Sequence, residues 1–284
     1  MTGILERVDR LSKDRRMQMF ALLERHFDGV SAEVFAADLD EKNWALLFED
    51  EGELVGFSTL LLYPFVHAGE TLTVVYSGDT IVDPAAWGST ALPRLWIDAV
   101  RRLHAEHAAE QGPGHGPEQG PGHGPDQGPG HGPACGPGQD PRQGKSRLVW
   151  LLITSGFRTY RFLPVFWRDF HPRHDAAIPS DVAALRDALA RERFGHRYDP
   201  ERGVVRLGSP QSLREHLAGV PEARRSDPHV DFFLAANPGH GRGDELVCIT
   251  ELSDENLTRA GWRMVRAGGE RGASTGAEGP GEPV

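Results

Sequence analysis

The stretch VYSGDTIVDPAAWG, residues 75–88, decides the fold. It begins as an apolar, strand-like run, is interrupted by the polar pair Gly78-Asp79, and turns at Asp83-Pro84. An amphipathic segment follows, so the order is a strand, a turn of small residues and the start of a helix. Helix starts bind phosphate groups because their first backbone amides lack partners within the helix. The stretch therefore predicts a phosphate-binding turn.

Composition bounds the rest of the molecule. The chain has 284 residues, 39% of them hydrophobic, with a formal net charge of -10. An acidic chain has no general affinity for nucleic acid or anionic membranes. No apolar run approaches the roughly 20 residues that span a bilayer. The charged N-terminus lacks the apolar region of a signal peptide. The two cysteines, Cys135 and Cys248, are too few for a disulfide framework. We expect a cytoplasmic monomer or homodimer that binds neither nucleic acid nor membrane.

Residues 111–134 repeat one eight-residue unit three times, as QGPGHGPE, QGPGHGPD and QGPGHGPA. Because Gly and Pro at this density favour neither helix nor strand pairing, we expect a disordered insertion over residues 110–146. Each repeat carries one histidine, namely His115, His123 and His131. A weak metal-binding tract is the alternative, but this chain gives the imidazoles no rigid geometry, and we expect no metal. The Gly/Glu/Pro-rich residues 267–284 are predicted to be a disordered tail.

Hydrophobic periodicity predicts alternating helices and strands in the first part of the chain. The predicted elements are helices over residues 4–27 and 32–40, the second capped by Ser31, a hairpin of 44–48 and 54–63, a strand over 71–82 and a helix over 87–107. After the insertion come a strand over 148–154 and an aromatic-rich helix over 157–170, bent at Pro164. The strand at 148–154 is continuously apolar, which indicates burial on both faces.

The remaining residues carry a weaker pattern. They predict a helix over 180–193 capped by Ser180, strands over 204–207, 230–235 and 245–251, and a last helix over 254–265. We therefore expect residues 1–175 to form the first folding unit. Residues 176–266 are expected either to extend the same sheet or to form a small second unit.

This order of elements resembles the GNAT acyltransferase superfamily over roughly residues 5–170. LVGFSTLLLYPF, residues 54–65, looks like the family's third strand, and residues 75–88 look like its fourth strand and pyrophosphate loop. RLVWLLITSGFRTYRFLPVFW, residues 147–167, is similar to its fifth strand and fourth helix. The chain is also similar to uncharacterised bacterial GNAT-like proteins, which carry the same S-G-D-T and G-x-R-T-Y words. The resemblance implies an α/β (α+β) fold with a mixed, mostly antiparallel central sheet flanked by helices.

The resemblance also implies a site for acyl-CoA. In the family, two central strands splay apart, and amides at the start of the following helix hold the CoA pyrophosphate. In this chain those amides belong to Trp87, Gly88, Ser89, Thr90 and Ala91. The family's loop pattern is Gln/Arg-x-x-Gly-x-Gly/Ala; Gly88 matches it, whereas Ala85 and Thr90 replace its other members. Arg94 and Arg158 are further candidates for the phosphates. An ordinary helix start capped by Ser89 is the alternative.

Three residues are candidates for the chemistry that the family performs. Asp79, on the strand beside the splay, is placed to act as general base, and Tyr76 is a second candidate for that role. Tyr160 lies in the helix from which the family takes a general acid for the leaving thiolate. The structural alternatives are a β-bulge at residues 77–79 and packing roles for both tyrosines.

Other sequence motifs point to no further chemistry. DFHPRHD, residues 169–175, collects two aspartates and two histidines, but the spacing is not helical and no second set of ligands accompanies it. A helix end decorated with histidines is the alternative interpretation. The hydrolase, NTPase and zinc-protease signatures are missing from the sequence.

Two hypotheses follow. The first is an N-acyltransferase that uses acetyl-CoA or another acyl-CoA as co-substrate, requires no metal, and acts on a small-molecule or peptide amine. The second is a catalytically inactive GNAT-like module that binds a ligand or another protein. Free backbone amides around Gly88 beside an open wedge favour the enzyme. Amides that are blocked by the Trp87 ring or paired internally favour the module.

Overall fold

The computed structural model describes residues 1–110, 147–207, 211–214, 217 and 219–272. The predicted insertion over 110–146 lies outside these residues except for residue 110, which ends a helix, and the predicted tail lies outside them beyond residue 272. Residues 267–272, predicted to belong to the disordered tail, form the end of the last helix instead. The strands are β1 Thr2–Arg7, β2 Phe27–Asp28, β3 Trp44–Asp50, β4 Glu53–His67, β5 Glu70–Val82, β6 Leu148–Thr154, β7 Tyr198–Asp199, β8 Val204–Val205, β9 Ser212–Leu213 and β10 Glu245–Glu251. The helices are α1 Lys13–His26, α2 Ala32–Asp40, α3 Ala91–Glu110, α4 Phe157–Tyr160, α5 Phe162–Phe166, α6 Ser180–Phe194, α7 Pro228–Ala236 and α8 Arg259–Gly272.

Most of the strands form a single sheet in the order β1-β3-β4-β5-β6-β10-β8-β7, and the short β2 and β9 pair separately. Within the described residues, β5 and β6 are the one parallel pair, and the other neighbours are antiparallel. A parallel pair needs a long crossover, and α3 lies in that connection. The predicted mixed, mostly antiparallel sheet flanked by helices is confirmed.

Helices cover both faces of the sheet. On one face α3, α4, α5 and α7 pack through a cluster that includes Trp96 and Phe233. On the other face α1 and α2 pack around Met19, and α6 packs through Leu189. Every residue of β6, from Leu148 to Thr154, is buried between these layers, as its apolar sequence predicted.

The predicted helix over residues 4–27 is wrong in its first part. Residues 2–7 form the edge strand β1, which pairs antiparallel with β3. Helix α1 begins after Ser12, whose hydroxyl accepts a hydrogen bond from the Arg15 amide at 3.1 Å. A six-residue strand places only about three side chains on each face, so its few apolar residues also fit helical spacing.

The predicted strand over residues 230–235 is also wrong, because these residues belong to α7. The Asp227 carboxylate accepts a hydrogen bond from the His229 amide at 3.1 Å, and Pro228 occupies the first helical position. A short apolar run fits a helix or a strand equally well, and this start signal decides between them. The predicted helix over residues 157–170 consists of the two short helices α4 and α5 and stops before residue 170.

The predicted helix caps have different outcomes. Ser31 caps α2, since its hydroxyl accepts a hydrogen bond from the Val34 amide at 3.2 Å. Ser180 is instead the first residue of α6, and Pro179 precedes it as an N-cap without a side-chain hydrogen bond. The helix predicted from residue 87 begins only at Ala91; a 3-10 turn at Pro84–Ala86 comes before it, and residues 87–90 connect the two.

Candidate functional site

The strand β5 contains both a bulge and the end of its pairing with β6. Its register with β4 slips by one residue between Ser77 and Thr80, so Gly78 and Asp79 lie in a bulge. On the opposite edge, pairing with β6 extends only as far as Ser77. Beyond Ser77 the two parallel strands separate, and a gap opens between them.

A cavity of about 470 Å³ extends from this gap to the start of α3, and we call it the loop cavity. Its exposed end carries Gly88, Ser89, Arg158 and Arg224, so backbone amides and guanidinium groups surround it. A helix start with adjacent arginines is suited to an anionic group such as a phosphate. Its buried end is aromatic and includes Trp96.

A second cavity of about 670 Å³ lies on the other side of the gap, and we call it the acidic cavity. Four carboxylates line it, those of Asp38, Glu41, Asp79 and Glu245. The residues shared by both cavities are Phe27, Thr80, Ile81, Ser155, Gly156, Thr159 and Leu213. The two cavities therefore meet at the gap between the ends of β5 and β6.

The backbone amides at the predicted phosphate turn are partly free. Those of Trp87 and Ser89 donate to the carbonyls of Pro84 and Ala86, each at 3.2 Å. The amide of Ala91 donates to the Ser89 hydroxyl at 3.2 Å. Among the described residues, the amides of Gly88 and Thr90 have no hydrogen-bond partner. Two of the five predicted amides therefore remain available to a ligand.

Trp87 and Arg158 contact each other across the exposed end of the loop cavity. The Trp87 indole N–H donates to the Val82 carbonyl at 2.9 Å, which fixes the ring beside the turn. The Arg158 guanidinium carbon lies 4.1 Å from the centre of that ring, and one of its N–H groups donates to the Leu217 carbonyl at 2.7 Å. Arg158 thus reaches the cavity from α4, whereas Arg94 lines neither cavity.

Two of the carboxylates in the acidic cavity form no ion pair with a described residue. Burial raises the pKa of Asp79 from 3.8 to about 7, assisted by the negative charge of Asp38 and opposed by Lys42. Burial and the charge of Asp79 raise the pKa of Glu245 from 4.5 to about 8. At neutral pH both groups therefore exchange protons readily, which suits Asp79 to accept one from an amine.

The other two carboxylates of this cavity are paired. The buried Lys42 ammonium lies 2.8 Å from the Asp38 carboxylate and also donates to the Asp38 carbonyl at 3.0 Å. Arg193 lies 2.6 Å from the Glu41 carboxylate. Sequence reasoning missed Asp38, Lys42 and Glu245, because charged residues near element ends have no pattern that distinguishes a site from a solvated surface.

The two candidate tyrosines lie in different places. Tyr76 is buried and lines the acidic cavity. Burial, with the nearby carboxylates, raises its pKa well above 10, so the phenol keeps its proton at neutral pH and suits donation more than acceptance. Tyr160 lines neither cavity, and its hydroxyl donates to the Pro172 carbonyl at 2.9 Å. The catalytic roles of Tyr76 and Tyr160 stay predictions.

Within the described ranges, no group of three or more His, Cys, Asp or Glu side chains is arranged to hold a metal ion. Nor does a helix within the same ranges combine the length and apolar character that crossing a bilayer requires.

Solved structures to which the chain is similar include acetyltransferases. One is an aminoglycoside acetyltransferase from an uncultured soil metagenomic sample, at 19% identity and a TM-score of 0.29, over 37% of this chain and 70% of that one. Another is a ribosomal-protein-alanine N-acetyltransferase from Brucella melitensis biovar Abortus 2308, at 20% identity and a TM-score of 0.30, over 37% of this chain and 73% of that one. A third is an aminoglycoside antibiotic 6'-N-acetyltransferase from Acinetobacter haemolyticus, at 16% identity and a TM-score of 0.28, over 39% of this chain and 72% of that one.

No family model and no curated protein matches the chain. At the identities and TM-scores above, the solved structures carry no argument about activity. The GNAT-like arrangement rests on the strands themselves, with a single parallel pair in the described sheet that separates beside a helix start.

Proposed function

We propose that the chain is an acyl-CoA-dependent N-acyltransferase that acts on a small or peptidic amine. The observation that carries this proposal is the gap between β5 and β6, which joins the loop cavity to the acidic cavity beside Asp79. The donor enters the loop cavity, with its pyrophosphate near the amides of Gly88 and Thr90 and the guanidinium of Arg158. The acceptor enters from the acidic side, so the thioester and the amine meet in the gap.

In the proposed reaction Asp79 accepts a proton from the acceptor's ammonium group. The neutral amine then attacks the thioester carbonyl carbon, and the C–N bond forms. The attacking nitrogen gives up its second proton, the C–S bond breaks, and the thiolate takes up a proton and leaves as free CoA. Holding both reactants in the gap supplies much of the rate enhancement. A base with a pKa near neutrality is well matched to a proton transfer at physiological pH.

The charge of the acidic cavity supports an amine as acceptor. Burial is the main cause of the raised pKa values of Asp79 and Glu245, and negative charge adds to it: that of Asp38 for Asp79, and those of Asp79 and Asp38 for Glu245. An incoming ammonium group relieves this repulsion, whereas an anionic acceptor increases it. The proposal therefore covers acceptors whose reacting group is an ammonium.

Isothermal titration with CoA and acetyl-CoA tests the donor half of the proposal. We expect binding, and Arg158→Gln should weaken it about tenfold, the usual loss for one charge-assisted contact. Arg263→Gln, at an exposed site on α8, is the matched control and should bind as the wild type does. Neither heat nor a thermal shift at millimolar ligand would exclude acyl-CoA as the donor.

Release of free thiol in the presence of a panel of amines tests the acceptor half. Loss of the base in Asp79→Asn should lower turnover about a hundredfold to ten-thousandfold, with donor binding retained. The alternative, an inactive GNAT-like module, predicts no thiol release with any amine. Full turnover in Asp79→Asn would remove Asp79 from the mechanism but leave the acyl transfer in place.

A further inference from the structure

The buried end of the loop cavity is an aromatic surface, which we call the aromatic floor. It consists of Phe48, Leu92, Trp96, Trp150 and Phe162. The Trp96 and Trp150 ring centres lie 4.3 Å apart, and the Phe162 ring centre lies 5.9 Å from each of them. These residues come from β3, α3, β6 and α5, so four elements of the core hold the floor in place.

The floor is poor in groups that a polar ligand needs. The Trp150 indole N–H donates to the Ser77 hydroxyl at 2.8 Å and is therefore already paired. An amide or phosphate placed against this surface would lose its hydrogen bonds to water without replacement, whereas a hydrocarbon would lose none. The phosphates and amides of a CoA donor thus belong at the exposed end, near Gly88 and Arg158.

The floor is continuous with the proposed point of reaction. The same cavity reaches Ile81 and Gly156, which also border the acidic cavity. A thioester carbonyl in the gap therefore has the amine on one side and the aromatic floor on the other. An acetyl group is too short to cover such a surface. Apolar surface that stays exposed to water contributes nothing to the free energy of binding, whereas a longer acyl chain would bury it.

We propose that the aromatic floor binds the donor's acyl group, and that the preferred donor carries a bulky apolar acyl chain instead of an acetyl group. This inference rests on the proposed function. The floor then acts as the determinant of donor specificity: the exposed end recognises the CoA portion common to all donors, and the buried end selects among acyl groups.

Isothermal titration of the full chain with CoA, acetyl-CoA and octanoyl-CoA tests the inference. We expect octanoyl-CoA to bind at least tenfold more tightly than acetyl-CoA, because burial of about two methylenes accounts for such a change. Equal affinity for the two thioesters overturns the inference and leaves the proposed function standing. No binding of any of the three overturns the proposed function and the inference together.

Two leucines on α3 give a matched pair of variants. Leu92 lines the floor, whereas Leu95, half-buried on the same helix, lines neither cavity. Leu92→Phe should narrow the floor and reduce the preference for octanoyl-CoA over acetyl-CoA at least tenfold, and Leu95→Phe should keep it. An unchanged preference in Leu92→Phe contradicts the inference. Phe162→Ala provides a second measurement, since the enlarged floor should shift the preference toward dodecanoyl-CoA; a preference that stays with octanoyl-CoA also contradicts it.

Discussion

Replacing Asp79 with Asn should make the protein more stable at alkaline pH while it removes the proposed base. In the folded protein burial and Asp38 raise the pKa of this carboxyl from 3.8 to about 7. Below about pH 4 both the folded and the unfolded chain hold the proton, and between about pH 4 and pH 7 only the folded chain holds it. The stability contributed by the protonated group is therefore lost as the pH rises through that window.

The magnitude follows from the width of that window. A rise in pKa from 3.8 to about 7 corresponds to about 4 kcal/mol, because each pH unit in which only the folded state holds the proton contributes about 1.4 kcal/mol. The Asp79 side chain keeps some contact with solvent in the cavity, which reduces the effect, so we expect about 2–4 kcal/mol. Neutralising Asp79 also lowers the pKa of Glu245, which adds in the same direction.

Urea unfolding at pH 4.5 and pH 8 measures this effect. Relative to the wild type, Asp79→Asn should gain about 2–4 kcal/mol in the free energy of unfolding between the two pH values. Asp98→Asn, at an exposed position on α3, is the matched control and should show no such gain. A difference between wild type and Asp79→Asn that is the same at both pH values would refute the reasoning.

Three further substitutions test other parts of the structure. Gly88 has φ 87° with open space around it, so Gly88→Ala should cost about 1 kcal/mol in urea unfolding, whereas Gly241→Ala, in open space without such a φ, should not. Tyr160→Phe removes the hydrogen bond to a backbone carbonyl and should lower the melting temperature by an amount equivalent to about 1 kcal/mol. Asn256→Ala should destabilise by about 2–3 kcal/mol in the same unfolding assay, because its side chain donates to the carbonyls of Asp169 and Glu251 and accepts the Asp169 amide.

The loop and its flanking strands were predictable because they carry local patterns. Residues 71–82 and 148–154 are rich in apolar side chains over the length of one strand each. Pro84 and Gly88 mark the turn between the first of these strands and α3. The first strand and α7 were mistaken because each is short, and a short apolar run satisfies both periodicities. Tertiary pairing of β1 with β3 decided the first case, and an Asp-Pro helix start decided the second.

The sequence by itself determined the order of the central elements and the turn between β5 and α3, because hydrophobic periodicity and turn residues act over a few neighbouring positions. It identified Asp79 as a carboxylate that interrupts a strand. The tertiary structure alone decided that Asp79 shares a cavity with Glu245, a residue far away in the chain, and that Phe48, Trp96 and Trp150 form one surface. Those arrangements depend on which strands pair and on where the pairing of β5 with β6 ends. Burial among residues distant in the chain raises the pKa of Asp79 and also creates the aromatic floor.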